Sequence, residues 1–300
     1  MGTTVYEEIK LYKTMINNSI TNRSFSVNRI IIFLMVITTL FLAGCGKTRE
    51  ARAHLAEAKL LFETQNFEEA KKAIDTIRVR YPREIGVLKE SLTLMRLVER
   101  GESERNIAYC DSLTPIRMEE AEKLKKGFIL EKDTTYVDVG NYVWQQQTIE
   151  RNVERSYVRC GVDEKGEIYL VSVYFGNRAI NHTGLKLSTS DGGYAETTPI
   201  PYDGGMNYRF KDLGNTTEVV TYKSEKCIDA VNFVYSAGDR VRIKADYTGG
   251  SAFSLYLSEN DKQAIKATWD LAAVLNDIES MRKEKERATK IIMYLDEKLQ

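Results

Sequence analysis

At 300 residues, with 43% apolar and 29% charged side chains, the chain is long and apolar enough to build ordinary cores. That excludes an intrinsically disordered chain and suits two domains. Its 43 Lys and Arg balance 43 Asp and Glu, so no basic field recommends nucleic acid as a partner.

The first 44 residues read as a targeting segment. Lys10, Lys13, Arg23 and Arg29 precede Ile30–Leu42, IIIFLMVITTLFL, an uncharged run that gives way to Ala43 and Gly44. A basic front, a short apolar middle and a small-residue end make a secretory signal peptide over 1–44. A helix needs about 20 apolar residues to cross the hydrocarbon core, and this run is shorter. Leu42-Ala43-Gly44-Cys45 resembles the lipobox of a bacterial, Bacteroidetes-like lipoprotein. The resemblance implies cleavage before Cys45, lipidation of that cysteine with palmitate-type acyl chains, and a mature chain of net charge −2, since 1–44 carry two more cations than anions. The competing reading is a buried thiol following a membrane helix. Each buried methylene contributes about 0.8 kcal/mol and firm anchoring takes at least two chains, which a multiply acylated cysteine supplies. Gly46 differs from the residue that retains such proteins in the inner membrane, and Lys47-Thr48-Arg49 lack the acidic cluster of surface-exposed relatives. The resemblance therefore implies the outer membrane, periplasmic face. Met1–Ser26 is long for a basic front and points to Met15 as the start of translation. Gly46-Lys47-Thr48 ends like a phosphate-binding loop, but Phe41 stands where that loop requires glycine.

Residues 45–130 follow as the anchor and a helical region. Ala51–Glu63 is rich in Ala, Leu and Glu, Gln65-Asn66 breaks the pattern, and Phe67 starts a second helix. Ala58, Leu61, Phe67, Ala70, Ile74 and Pro82 fall in the register of a tetratricopeptide repeat, which the hairpin resembles over about forty residues. His54 and Glu57 depart from that pattern, and no second repeat of like quality follows. The plainer reading is a helical hairpin packed against another part of the chain. Ile85–Arg100 and Met118–Leu130 also read as helices.

Residues 131–258 change to strands. Tyr136–Trp144, Tyr157–Val162, Ile168–Phe175, Val219–Tyr222 and Val231–Tyr235 are dense in β-branched and aromatic residues, and 162–167 reads as a hairpin with Gly166 at its turn. Val241, Ile243, Ala245 and Tyr247 alternate with Arg240, Arg242, Lys244 and Asp246, and Phe253, Leu255 and Leu257 continue the pattern. The expected fold class is α+β: a TPR-like helical region, an antiparallel β-sandwich or partial barrel, and a long C-terminal helix over 259–300. That helix starts at Ser258-Glu259-Asn260-Asp261, and its stripe from Trp269 to Leu295 packs on the amino-terminal hairpin or pairs in a coiled coil with a second copy.

Chemistry-bearing motifs are few. His54 and His182 belong to no H-E-x-x-H, no G-x-S-x-G elbow occurs, and no catalytic, cofactor-binding or metal-ligating residue is assigned. Cys110, Cys160 and Cys227 form no C-x-x-C pair. In an oxidising compartment Cys160 and Cys227 are candidates for a disulfide, with two buried thiols as the alternative. Tyr194, Tyr202 and Tyr208 on glycine-rich loops either rim a ligand site or cover sheet edges. Asp75-Thr76-Ile77, Asp111-Ser112-Leu113 and Asp133-Thr134-Thr135 resemble short O-glycosylation sites. Two function classes result. One is a membrane-anchored, non-enzymatic envelope protein that binds a protein or glycan partner. The other is an envelope hydrolase or glycan-active enzyme with Asp191, Asp203 and Asp212 on its loops, whose mark is two carboxyls within about 5 to 10 Å in one pocket.

Overall fold

The protein's structure, a computed structural model, describes residues 46–132, 139–238 and 240–299. Cys45, the run Ile30–Leu42 and the start of the strand read at Tyr136 lie outside the described residues. No described helix is long and apolar enough to cross a membrane. The fold is α+β, with five helices and two antiparallel sheets among the described residues. Contacts divide the described residues into two units, 46–105 with 290–299, and 106–289.

The first unit is helical. Helix α1 covers 46–63 and α2 Phe67–Arg80, with Gln65 at φ 58° turning the chain between them. Ala51, Leu55 and Ala58 meet Phe67, Ala70 and Ile74 in one buried cluster, completed by Val87, Leu94 and Val98 of α3 (Ile85–Lys125). Alanines at 58 and 70 are fully buried and put little bulk between the helices. The C-terminal end of the last helix joins this unit. Arg100 Nε lies 3.1 Å from Asp296 Oδ1, and Arg96 donates to the Lys298 carbonyl at 3.2 Å.

Helix α3 differs from the two helices read at 85–100 and 118–130. It runs unbroken with Pro115 inside it and stops at Lys125. Proline removes one donor near that point, and the neighbouring Thr114 hydroxyl donates to the Cys110 carbonyl at 2.7 Å. Residues assigned to its last turn instead form a strand.

The second unit contains all ten strands: β1 Phe128–Glu131, β2 Asn141–Trp144, β3 Tyr157–Asp163, β4 Ile168–Gly176, β5 Gly184–Thr189, β6 Tyr194–Glu196, β7 Asn207–Asp212, β8 Asn215–Lys223, β9 Ile243–Thr248 and β10 Phe253–Tyr256. The larger sheet has the order β1-β2-β3-β4-β8-β7 and the smaller β10-β9-β5-β6. They share one core, in which Leu170 and Tyr222 of the first sheet join Leu185 and Ile243 of the second. Two further helices, α4 (Ile228–Ser236) and α5 (Glu259–Leu299), add Val231, Val234, Ile265 and Leu271 to it. Each such fully buried side chain contributes about 1.5–3 kcal/mol. The Tyr247 hydroxyl ties the sheets directly, donating towards the carbonyls of Val173 at 2.9 Å and Tyr157 at 3.1 Å.

Ile243, Ala245 and Tyr247 are buried on one face of β9 as their alternation implied, although Val241 precedes the strand and is partly exposed. Val231–Tyr235, read as a strand, is helical. Its buried residues Ala230, Val231 and Val234 follow a three- to four-residue step, so packing overrides local β propensity. Cys160 and Cys227 are free thiols in the core, and the disulfide considered for them is not formed in this structure. Burial pushes the Cys227 thiol up to about 12 and the Cys160 thiol higher still.

Helix α5 begins with a reciprocal cap. Asp261 N–H donates to Ser258 Oγ at 3.1 Å, and Ser258 N–H donates to Asp261 Oδ2 at 3.0 Å. Ser258→Ala removes one half of this box and is expected to cost about 1 kcal/mol in urea unfolding. Unchanged stability would show that the cap contributes nothing here.

Candidate functional site

The larger sheet has two apolar faces but a shared core on only one. Strand β4 shows why, since IYLVSVYFG places Leu170 and Tyr174 inwards and Val171, Val173 and Phe175 outwards. Register aligns the outward residues into rows. Tyr157 of β3 pairs with Val173, Val173 with Val219 of β8, and Val219 with Tyr208 of β7. The next row is Phe175, Thr217 and Phe210, and the row on the other side is Arg159, Val171 and Thr221. A one-sided antiparallel sheet normally carries polar residues on its outer face. Here valines and aromatic rings stand among Arg159, Thr217 and Thr221 and line a cleft of about 460 Å³.

One wall of the cleft is the segment 145–153, two short 3₁₀ turns carrying Ile149 and Val153. A single side chain fixes that segment. Strand β2 pairs with β3 only at 161–163, which leaves the β3 edge at 158–160 without a partner strand. Gln147 takes the partner's place, its Nε2 donating to the Val158 carbonyl at 2.8 Å and its Oε1 accepting from Cys160 N–H at 3.0 Å. The same Nε2 lies 3.1 Å from Asp261 Oδ1 at the start of α5. Gln147 is fully buried, although it stands in a run of three glutamines that reads as solvated. Nothing in the local sequence distinguishes it.

At one end of the cleft Arg159, 7% exposed, donates from Nη2 to Glu131. Its Nε has no hydrogen-bond partner. Burial works against the guanidinium charge, but Tyr169 and Glu131 more than offset it, so Arg159 stays protonated. Burial also pushes the Tyr169 hydroxyl up to about 12, so it is a neutral donor. Tyr169 lies across Gly161, where an added Cβ would meet the ring at 2.3 Å. At the other end is the two-residue turn Leu213-Gly214, with φ of 47° and 84°. A turn of this kind takes Asn, Asp or Gly at its first position, and a left-handed leucine costs about 1–2 kcal/mol. Leu213 is nevertheless 89% exposed.

Of the tyrosines considered as a rim, only Tyr208 lines the cleft. Tyr194 lies under the Lys186 ammonium and Tyr202 under the Arg209 guanidinium. The three loop aspartates do not converge. Asp191 accepts from the Thr189 hydroxyl, Asp203 accepts from the N–H groups of Gly205 and Asn207, and Asp212 lines the cleft. Among the described residues, no group of three or more His, Cys, Asp or Glu is placed to hold a metal ion.

A second constellation was hidden from sequence reading. His182 Nε2 is 2.9 Å from Ser172 Oγ, and His182 Nδ1 is 2.8 Å from Glu218 Oε2, the connectivity of a Ser–His–acid triad. Its surroundings are those of a structural bridge. Ser172 is fully buried and also meets the Tyr222 hydroxyl at 3.1 Å. Glu218 accepts the N–H groups of Ile180, Asn181 and His182, so it anchors the segment leading into β5. The adjoining cavity is only about 40 Å³, too small to admit a substrate beside the serine.

Burial holds His182 below its ordinary 6.5, against the pull of Glu218. Burial alone would raise Glu218, but the N–H donors and His182 hold it below 4.5. In both cases the unfolded chain takes up protons before the folded one, so stability falls as pH drops below about 6.5 and again below 4.5. Thermal unfolding is expected to show a midpoint that declines from pH 7 to 4, with a shallower slope near 6 in His182→Asn. A flat profile over that range would contradict the assignment. For the wall of the cleft, Gln147→Leu strands two β3 groups and is expected to destabilise by about 2 kcal/mol in urea unfolding. Wild-type stability would show that the bridge is dispensable.

With this geometry in hand, comparison with known proteins assigns no family: no family model matches the chain, and no curated protein or solved structure is significantly similar to it.

Proposed function

We propose that the chain is a lipid-anchored protein of the bacterial envelope, acting as a non-enzymatic binding protein with the open face of its larger sheet as the binding surface. The observation that carries the reading is the cleft, whose volume lies within the range of ligand sites and whose floor sets valines and aromatic rings where an outer sheet face is normally polar, with charged and polar side chains around them. Exposed Ile149, Val153, Phe210 and Leu213 around it form a patch of the kind that marks interaction sites. The anchor is Cys45, on the strength of Leu42-Ala43-Gly44-Cys45, with the outer membrane, periplasmic face, as the location. The helical unit, with its hairpin, offers a second surface for a protein partner. Of the aspartates named for the hydrolase reading, Asp191 and Asp203 are engaged in their own loops and Asp212 lines the cleft, where the other carboxylates are Glu131, bound to Arg159, and Glu154.

The test joins anchor and cleft. In fractionated cells the wild-type chain is expected in the membrane fraction and Cys45→Ala in the soluble fraction. A photo-crosslinking amino acid at position 210 is expected to capture a ligand from the native envelope that the same group at position 256, on the other sheet, does not. Membrane retention of Cys45→Ala, with identical capture at both positions, would defeat the reading.

A further inference from the structure

We propose that the cleft accommodates the acyl chain of a lipid, with the lipid's anionic head group at the Arg159 end. This rests on the reading of the open face as the binding surface and adds the chemistry of what occupies it. The row Tyr157, Val173, Val219 and Tyr208 crosses the middle of the cleft with no hydrogen-bonding group except the phenols at its margins. A peptide or glycan lying there would press its own polar groups against valine without partners, whereas a hydrocarbon chain has none to satisfy. From Tyr169 to Phe175 the floor runs about 20 Å along β4 over Val171 and Val173, given a rise of roughly 3.3 Å per residue, with Thr221, Thr217 and Asn215 of β8 beside it. One leaflet's acyl chain covers about 15 Å, half of a hydrocarbon core of roughly 30 Å.

The two ends of the cleft differ as an amphiphile requires. Arg159 brings a buried cation beside the Tyr157 and Tyr169 rings, bound to Glu131 through Nη2 and without an acceptor at Nε, and a carboxylate or phosphate oxygen drawn to this guanidinium shares it with Glu131. Asp212 and Asn215 flank the turn at the far end, whose exposed apolar side chains are Phe210 and Leu213, the latter held in a backbone conformation that leucine disfavours. An apolar tip of this kind is stable against lipid and poorly placed in water.

The test uses cells that express the full chain and are fed a diazirine-bearing fatty acid, which is irradiated in place before crosslinked peptides are mapped by mass spectrometry. Crosslinks are expected on peptides from β4 and β8, apart from the acylated amino-terminal peptide. They are expected to fall roughly tenfold in Val173→Asp, which puts a charge on the floor, and in Val219→Trp, which fills the cleft with an apolar ring. Circular dichroism of both variants establishes that they fold, and Val219→Trp carries the test if Val173→Asp does not. Crosslinks confined to the amino-terminal peptide, or undiminished in Val219→Trp, would overturn the proposal. If they are so confined while the crosslinker at position 210 still captures a specific ligand, the acyl-chain inference fails and the binding-surface reading stands. If neither occurs, both fail.

Discussion

The Gln147 side chain is the interaction on which the candidate site depends. β3 needs a partner for the backbone groups of Val158 and Cys160, and β2 is too short to provide one. A buried, unsatisfied backbone group costs about 1–3 kcal/mol, so the edge must be completed by something. Gln147 completes it with one amide, acting as donor and acceptor at once, and its contact with Asp261 joins the same segment to the start of α5. That segment carries Ile149 and Val153 over the outer face of the sheet. The cleft therefore has a wall because a strand ends early and a glutamine takes its place.

The same sheet meets opposite demands on its two faces. Inwards, Leu170, Val220 and Tyr222 share a core with the smaller sheet and with α4 and α5. Outwards, Val171, Val173 and Val219 have only the loop wall and a cavity. Inside, Tyr222, Ser172, His182 and Glu218 form a connected chain of hydrogen bonds, so this buried network adds order without reactivity. On the outer face, Arg159 keeps an unpartnered nitrogen and Leu213 stands in solvent. Features that weaken a free protein are those a binding site retains.

Much of the architecture could be read from the sequence because it rests on local signals. The hairpin of α1 and α2, the strands β3, β4, β8, β9 and β10, and the start of α5 follow from periodicity, turn residues and a capping pair. Where local signals conflict with packing, the reading failed: Val231–Tyr235 looks like a strand yet fills a helical stripe in the core, and α3 passes through Pro115. Strands β5, β6 and β7, with sequences GLKLST, YAE and NYRFKD, carry too few β-branched residues to stand out from the glycine-rich loops around them. The cleft itself was not legible, since Tyr157, Val173, Val219 and Tyr208 meet only through cross-strand register over some sixty residues of chain. One clue was present: Ile168–Gly176 lacks the alternation of a strand with one solvated face, and that continuity belongs to strands covered on both sides.

The most direct measurement of whether the open face is occupied is native mass spectrometry of the mature protein extracted gently from its own membranes, beside Val219→Trp. The account requires a discrete added mass on the wild-type chain, beyond its covalent modification, that is missing when the tryptophan fills the cleft. The same bare mass for both proteins would contradict it.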